Sequence, residues 1–277
     1  MYYKSFKHTC IGESHLEKKT KCQDFSLAAV ISDCAFAVVS DGLGSKKHFR
    51  SDIGSRYACF VAFEIVSDFF DEIENEDMNA AVFNHEIMMH HLAVRILSRW
   101  REYVMHHKAT NPFDENEQKI IDEFYADAKA DEDYLKAYAC TFVLAVMSEH
   151  MNFIIQTGDS RCIVFDNTGH CDMPAVTDNP INEMGGTTTL SDSLPLENFR
   201  YFWAEEAPRA MFVCSDGVLD SYEKEKLLIF LDTLLKEFLK DHACALNQLK
   251  DFLPRMSKNY SRDDVSIAGV YTFNPME

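Results

Sequence analysis

Acidic side chains lie at the ends of several apolar segments of this chain. Asp41, Asp159 and Asp216 each follow such a segment, and Asp263 and Asp264 precede another. A single aspartate at a strand end is commonly a turn residue, because its carboxylate accepts hydrogen bonds from nearby backbone. In an antiparallel arrangement, however, strand ends and the starts of neighbouring strands can share one edge. Carboxylates brought together there repel one another, and Mg²⁺ or Mn²⁺ with oxygen ligands would supply the compensating charge.

Paired cations of this kind would direct the chemistry toward phosphate esters. Two ions that share a carboxylate can hold a water, lower its pKa and aim it at phosphorus. No cysteine is followed six positions later by arginine, so the phosphate-binding loop of thiol phosphatases is absent. The near-match to the zinc-protease motif HExxH at His85 fails at Met89, and the turn from Gly42 to Lys47 matches no nucleotide-binding glycine motif. The aspartates are therefore the candidate chemical groups.

The composition is that of a folded globular protein with a strong negative charge. The 277 residues include 45 Asp and Glu against 27 Lys and Arg, which gives a net charge of −18, and 47% of them are hydrophobic. Such a charge repels nucleic acids and anionic membrane surfaces, so we expect neither as a partner. The first ten residues lack the apolar region of a secretory signal, and the nine cysteines include no CxxC pair. We therefore expect a cytoplasmic protein with buried free thiols.

Apolar periodicity predicts groups of strands separated by pairs of helices. The predicted elements are a β-hairpin over 26–40, helices after Tyr57 and after Asn79, a meander of strands at 141–147, 152–157 and 162–165, a strand pair at 199–204 and 210–214, helices over 223–240 and 242–253 with the second ended by Pro254, and a last strand at 265–273. The acid-rich residues 110–136 are interpreted as a helical insertion, and the polar residues 177–198 as a flap-like loop.

These elements predict an α+β fold. The tight turns between successive strands indicate antiparallel pairing, and the helices come in pairs rather than alternating singly with strands. Two antiparallel sheets packed together, with helix pairs outside, would bury both the strand faces and the helix stripes. A single larger sheet fits the pattern as well. No linker divides the chain, so residues 1–277 are interpreted as one domain.

The acidic motifs, taken in order, resemble the metal-dependent protein phosphatase 2C family, in particular its bacterial branch. The matching segments are GESH and CQDF between Gly12 and Phe25, VVSDGLGS at 38–45, SDIGSR at 51–56, TGDSR at 157–161, CSDGVLD at 214–220 and RDDVSIA at 262–268. The match covers nearly the whole chain. The resemblance implies a four-layer αββα sandwich of two antiparallel sheets flanked by helix pairs.

The resemblance also implies roles for individual residues. Asp41 would bridge two Mn²⁺ or Mg²⁺ ions with the Gly42 carbonyl as a further ligand, while Asp216 and Asp263 would complete the second centre. Asp24 would orient metal-bound water. Asp159 would help to hold a third, weaker ion. The implied reaction is hydrolysis of phosphoserine or phosphothreonine on a protein by a water or hydroxide that bridges the ions.

The sequence departs from the family pattern at three places. Leu43 stands where animal members carry a histidine that is a candidate general acid, and Asp264 stands where asparagine is commoner. Lys19 stands where many members have an arginine that holds the substrate phosphate, and the surrounding segment is lengthened. His15 and Lys19 are the predicted phosphate-binding residues, with Lys18 and Lys21 as alternatives.

The predicted function is therefore dephosphorylation of a phosphoprotein, the product of a cognate serine/threonine kinase, by a monomeric enzyme. Two alternatives stay open from the sequence. One is a catalytically weak module of the same fold that binds a phosphorylated partner. The other is a phosphatase of a small phosphorylated metabolite.

Overall fold

Two antiparallel sheets of five strands form the centre of the computed structural model, which describes residues 2–75, 84–174 and 186–274. The first sheet has the order β1-β10-β9-β6-β7 and the second the order β2-β3-β4-β5-β8. The strands are β1 Tyr2–Cys10, β2 Phe25–Ile31, β3 Cys34–Ser40, β4 Phe142–Ser148, β5 Asn152–Thr157, β6 Arg161–Phe165, β7 Cys171–Asp172, β8 Arg200–Trp203, β9 Ala210–Cys214 and β10 Val265–Phe273. The two-sheet prediction is confirmed.

The two sheets pack face to face, and the alternation along β3 shows how. Ala35, Ala37 and Val39 lie in the cluster shared by both sheets, whereas Phe36 and Val38 pack into the cluster formed with the helices. Successive strand residues point to opposite faces. Because both faces of β3 are covered, the strand is apolar throughout and each of its residues is buried.

A pair of helices covers the outer face of each sheet, which completes the αββα sandwich. The helices are α1 Glu13–Lys18, α2 Ser51–Asn75, α3 His85–Thr110, α4 Glu115–Phe124, α5 Asp216–Leu219, α6 Lys224–Lys240 and α7 His242–Asn259. Helices α2 and α3 cover the second sheet, with Trp100 and Ile96 fully buried. Helices α6 and α7 cover the first sheet, where Leu231 and Phe238 pack against Phe212.

The predicted insertion at 110–136 contains α4 and most of a 3₁₀ segment, Asp131–Tyr138. It is less solvated than its composition predicts, since Ile121 and Leu135 belong to the core. The buried guanidinium of Arg50 fastens it by donating to both carboxylate oxygens of Glu117, at 2.8 and 2.7 Å, and to the Tyr138 hydroxyl. That residues 110–136 are an insertion compared with related proteins stays a prediction.

The predicted flap-like loop at 177–198 is described from residue 186 onward, and residues 177–185 lie outside the described part. Its described half is fastened to the sheet edge. The Thr188 hydroxyl accepts from the backbone N–H of Gly158, and the backbone N–H of Leu190 donates to the carbonyl of Cys140. A 3₁₀ turn, Pro195–Asn198, then leads into β8.

Two strand pairings were predicted incorrectly. Strands β4 and β5 pair as expected, but β6 lies in the other sheet between β9 and β7, so the three strands form no meander. Strands β8 and β9 likewise lie in different sheets, although a short turn connects them. A short connection indicates that two strands are neighbours, but in a two-sheet sandwich the chain can cross from one sheet to the other.

Helix α7 continues past Pro254 to Asn259, contrary to the prediction that Pro254 ends it. A proline inside a helix removes one backbone hydrogen bond. Here Leu253 and Met256 on either side are fully buried, so packing holds the helix together across it. The extra turn matters for the site, because the hydroxyl of Ser257 donates to the Asp263 carbonyl and accepts from the backbone N–H of Glu13.

The sequence reading missed β1 and α1 altogether. Strand β1 pairs with β10 along its whole length, from Tyr2 opposite Phe273 to Cys10 opposite Val265. The pairing carries the chain to the edge where β10 begins, and α1 follows there. The segment between Gly12 and Asp24 is thereby placed beside Asp263 and Asp264.

Candidate active site

Four separate parts of the chain bring carboxylates to one edge of the sandwich. Asp41 follows β3, Asp159 lies in the turn between β5 and β6, Asp216 begins α5 directly after β9, and Asp263 precedes β10. All four line one cavity of about 270 Å³. The sequence prediction that these residues share an edge agrees with this geometry.

The carboxylates fall into two groups within the cavity. Oxygen atoms of Asp41, Asp159 and Asp216 lie within 4.8 Å of one another. In the second group, Asp263 lies equally close to Asp264 and to a ring nitrogen of His15. Asp263 is exposed, whereas the three members of the first group are half-buried.

Asp24 does not line this cavity and is only 6% exposed. Its burial, with the nearby charges of Asp264 and Asp216, raises the pKa of Asp24 to about 8. Burial also raises the pKa of Asp41 far above its usual range, with further contributions from Asp24 and Asp216. Burial, with the charges of Asp159 and Asp263, raises the pKa of Asp216 to about 6. Each carboxylate is thus poorly compensated by protein groups alone.

Two buried carboxylate oxygens indicate that the cavity fits a divalent cation. Asp24 Oδ2 and Asp159 Oδ1 are buried and have no hydrogen-bond partner within the described part of the chain. A buried polar atom without a partner is costly, and an ionised one more so. Hard divalent cations take carboxylate oxygens as ligands and would remove both the missing contacts and the mutual repulsion. The residues present therefore fit Mg²⁺ or Mn²⁺.

Glycines at two positions allow the backbone to close around the cavity. A side chain at Gly42 would place its Cβ 2.6 Å from the Gln23 carbonyl oxygen and 2.8 Å from that of Ser51. At Gly217 the Cβ would lie 1.9 Å from the Asp264 carbonyl oxygen. The glycine after Asp41 and the glycine after Asp216 are therefore required for close packing at the site.

Asp264 holds in place the segment between Gly12 and Asp24, for which the sequence predicted no secondary structure. Its carboxylate accepts from the backbone N–H groups of Gly12 and Gln23, both at 2.6 Å, and bonds to Nδ1 of His15 at 2.9 Å. Burial alone would raise the pKa of Asp264, but these hydrogen bonds outweigh it and lower the pKa. The same bond to Asp264 raises the pKa of His15 despite its burial. The sequence showed Asp264 as a departure but gave no signal for this role.

The two predicted phosphate-binding residues differ in position. His15 lines the cavity, but Lys19 is exposed and is not among the lining residues. Lys18, one residue earlier and an alternative from the sequence, does line it. Lys18 is the only lysine or arginine among the described lining residues, beside the five carboxylates of residues 41, 159, 216, 263 and 264.

A comparison with protein-family models decides the family. Residues 11–254 match the model described as protein phosphatase 2C. This chain belongs to the protein phosphatase 2C family. The family's general activity is metal-dependent dephosphorylation of serine and threonine on proteins, so the chain is a serine/threonine protein phosphatase.

Solved structures with the same fold include several phosphatases. A bacterial serine phosphatase is 16% identical, with a TM-score of 0.55 and coverage of 98% of both chains. The serine-threonine phosphatase 2C of Toxoplasma gondii is 13% identical, with a TM-score of 0.57 and coverage of 97% of this chain and 94% of that one.

The S. agalactiae serine/threonine phosphatase is 17% identical, with a TM-score of 0.53 and coverage of 98% and 100%. At these identities the likeness concerns the fold of this phosphatase alone. No curated protein sequence matches it significantly. In its described residues, no helix combines the length and the apolar character that crossing a membrane requires.

Proposed function

We propose that this phosphatase uses two Mn²⁺ or Mg²⁺ ions at the acidic cavity to hydrolyse phosphoserine and phosphothreonine on a protein substrate. The observation that carries the proposal is the convergence of Asp41, Asp159 and Asp216, together with the buried carboxylate oxygens of Asp24 and Asp159 that lack partners. When bound, the ions would supply an activated water shared between them and neutralise charge on the phosphoryl oxygens.

In this proposal each aspartate of the site has its own role, which depends on its position. Asp41, with the Gly42 backbone, would serve both ions, and Asp216 and Asp263 would complete the second centre. Asp24, buried with a raised pKa, would orient the attacking water through the oxygen that lacks a partner. Asp159 would hold a third, weaker ion, because its Oδ2 already accepts a hydrogen bond from the Thr187 hydroxyl.

The substrate phosphate would be held from the α1 side of the cavity. We assign this role to His15 and Lys18, because both line the cavity. Lys19, the other residue predicted from the sequence, does not line the cavity. Lysine binds phosphate as a point charge, whereas arginine binds it through two parallel hydrogen bonds. Phosphate binding by Lys18 would therefore be less directional than binding by an arginine.

The direct test is phosphate release from a phosphothreonine peptide. We expect turnover with Mn²⁺, with Mg²⁺ or with both, and none in EDTA, while circular dichroism shows the same fold in every sample. A folded protein that releases no phosphate with either metal would contradict the proposal. If a small phosphorylated metabolite were hydrolysed and the peptide were not, the substrate assignment alone would be wrong.

The biological setting is also a proposal. The substrate would be the product of a serine/threonine kinase, and the enzyme would act as a monomer. Cys59, Cys140, Cys162 and Cys214 are buried free thiols, which is typical of a reducing compartment and supports the cytoplasm as the location. Size-exclusion chromatography with light scattering would test the monomer.

A further inference from the structure

We infer that a basic rim at the mouth of the cavity, formed by Lys18, Lys19 and Lys47, selects phosphopeptides with acidic side chains next to the phosphorylated residue. The inference rests on the proposed function and adds a substrate class to it. Its starting point is an unusual local charge. Lys18 lines the cavity, Lys19 follows it, and Lys47 comes three residues after the lining residue Gly44. In a chain of net charge −18, these three lysines are exposed and form no ion pair with any described residue.

The neighbouring cations are already neutralised, which sets these three lysines apart. Lys21 pairs with Asp52 at 3.1 Å, and Lys46 pairs with Glu123. The acidic residue nearest in sequence to Lys18, Glu17, pairs with Arg262. The local positive charge therefore remains available to a ligand.

Lys18 ends helix α1 and Lys19 is its C-cap, so the contacts that anchor this helix also fix the backbone of both lysines. Its first turn is tied to the region before β10, because the backbone N–H of Glu13 donates to Ser257 Oγ and that of Ser14 donates to the Arg262 carbonyl. Asp264 adds its bonds to Gly12 and His15. The rim is thus anchored by buried contacts, which lowers the ordering entropy that binding would otherwise cost.

Lys19 has a backbone conformation that favours glycine. Its φ is 56°, in the left-handed region, at the C-terminal end of α1. Its N–H bonds to the carbonyls of His15 and Leu16, which closes the helix and directs the chain away from it. A lysine at such a position gives up some stability compared with glycine, and residues held in this way are often functional.

Lys47 belongs to a different segment of the chain from Lys18 and Lys19. It follows the cavity-lining turn Gly42–Gly44 by three residues, a separation of at most about 10 Å. Its carbonyl accepts a hydrogen bond from the hydroxyl of Tyr125, which fixes its backbone against the segment at 110–136. A peptide whose phosphate enters the cavity would therefore lie near cations on two separately anchored segments.

The chemistry of the ligand follows from this arrangement. The cavity itself is lined by five carboxylates, so it offers a peptide's acidic side chains nothing favourable. The rim would offer these acidic side chains ammonium groups that form no ion pair with any described residue. An acidic residue one to three positions from the phosphorylated residue would be attracted, and a basic one would be repelled.

The test compares two phosphothreonine peptides that differ only in having Glu or Gln at the positions flanking the phosphothreonine. In low salt with Mn²⁺, we expect a higher kcat/KM for the Glu peptide. Lys19→Glu and Lys47→Glu should each lower the Glu/Gln ratio by roughly two- to fivefold, the size expected for one exposed ion pair. The preference should also fade at 0.5 M NaCl, where screening is strong.

The matched control is Lys240→Glu, the same charge change elsewhere on the surface. Lys240 is exposed and lines a groove with Tyr3, at the end of β1 opposite Cys10, about 24 Å along the strand from the site. Its ratio should equal that of the wild type. An unchanged ratio in Lys19→Glu and Lys47→Glu, or an equal change in all three variants, would overturn the inference.

A binding measurement separates this inference from the proposed function. Fluorescence anisotropy of both labelled peptides in EDTA reports the Kd ratio without turnover. If neither the wild type nor any variant hydrolyses either peptide in Mn²⁺, the proposed function fails. The Kd ratios alone then decide whether the basic rim selects acidic peptides. If both peptides are hydrolysed at the same rate and bound equally, the rim is wrong and the phosphatase stands.

Discussion

The carboxylate cluster makes each of its members a source of both repulsion and function. Asp41 and Asp216 lie within 4.8 Å of a third carboxylate and have raised pKa values. Replacing either by asparagine removes a ligand charge and should lower kcat/KM at least about 100-fold with Mn²⁺. In EDTA at pH 8 the same change removes repulsion, so the thermal midpoint should rise by about 2–4 °C for each kcal/mol relieved.

Measuring both quantities distinguishes function from structure. Asp41→Asn and Asp216→Asn should give inactive proteins with unchanged circular dichroism and higher midpoints in EDTA. A variant that unfolds instead would assign that aspartate a structural role. Asp232→Asn is a suitable control, because Asp232 pairs with Lys236 on α6, away from the cavity, and should leave turnover unchanged.

Asp264 should matter for stability more than its neighbour Asp263. An asparagine at position 264 keeps one acceptor oxygen and turns an amide N–H₂ toward a donor it cannot bond, either Gly12 N–H or Gln23 N–H. The expected loss is about 1–3 kcal/mol in the free energy of unfolding, measured by urea denaturation in EDTA. Asp263→Asn, at an exposed residue, should cost much less. Equal losses in the two variants would show that the Asp264 bonds contribute little.

The sequence predicted the carboxylates of the site but not the contacts that position the residues around them. Asp41, Asp159, Asp216 and Asp263 were identifiable because each adjoins an apolar strand. The bonds of Asp264 to Gly12 and Gln23 join residues more than 240 positions apart, and no local pattern reports such a contact. Lys18 lines the cavity and Lys19 does not, because α1 ends at Lys18 and the chain turns at Lys19, which spacing alone does not fix.

Among the elements, the helical segment at 111–138 is fastened by Arg50, whose side chain is only 5% exposed. Its guanidinium bonds to Glu117, to the Tyr138 hydroxyl and to the carbonyls of Asn111 and Pro112. Glu117→Gln would leave a buried cation without its counter-charge. We expect a loss of about 1–3 kcal/mol in the free energy of unfolding, measured by urea denaturation at pH 7.

A double variant checks the origin of that loss. In Arg50→Met combined with Glu117→Gln, the buried charge is gone, so the glutamine substitution should cost less than it does alone. Additive losses would show that Arg50 and Glu117 are not coupled. The exposed pair Lys236–Asp232 provides the comparison, because breaking it should cost only about 0.3–0.5 kcal/mol.

The same helical segment should be sensitive to acid through His48. This side chain is 6% exposed and its Nδ1–H donates to the Lys136 carbonyl, which joins the turn after the cavity to the 3₁₀ segment. Burial lowers the pKa of His48, with help from the charges of Lys47 and Lys136. The unfolded chain therefore binds a proton more readily than the folded one. Stability from this group is present above pH 6.5 and is lost as the pH falls through the folded pKa.

Urea denaturation between pH 7.5 and pH 5 would measure this dependence. The wild type should lose more stability on acidification than His48→Gln, which cannot be protonated. Parallel curves for the two proteins would show that His48 does not carry the dependence.

Local sequence patterns predicted the helices and strands themselves better than they predicted which strands are neighbours in a sheet. The hairpin of β2 and β3 and both helix pairs follow from periodicity, since each buries a face within its own segment. The assignment of β6 to the other sheet depends on its pairing with β9, about 50 residues later, and nothing in β6 itself encodes that partner. Strand β1 was missed because Lys4 and Lys7 interrupt its apolar character, while its partner β10 lies at the far end of the chain.

For the whole molecule, the net charge and the acidic cavity predict that divalent cations act as folding ligands. A cation that binds the folded chain and not the unfolded one stabilises it by about 2.7 kcal/mol when its concentration is 100 times Kd. With about 2–4 °C for each kcal/mol, Mn²⁺ should raise the thermal midpoint by roughly 5–10 °C over that in EDTA.

The site-specific part of that shift is separable from general screening of the −18 charge. Sodium chloride at equal ionic strength supplies screening without coordination, so it should give a small shift that is the same in wild type and Asp216→Asn. The Mn²⁺ shift should be large in the wild type and in Asp232→Asn and strongly reduced in Asp216→Asn. If Mn²⁺ and sodium chloride shifted all three proteins alike, the cation would be acting on the surface as a whole, and the carboxylates at the sheet edge would not form a metal site.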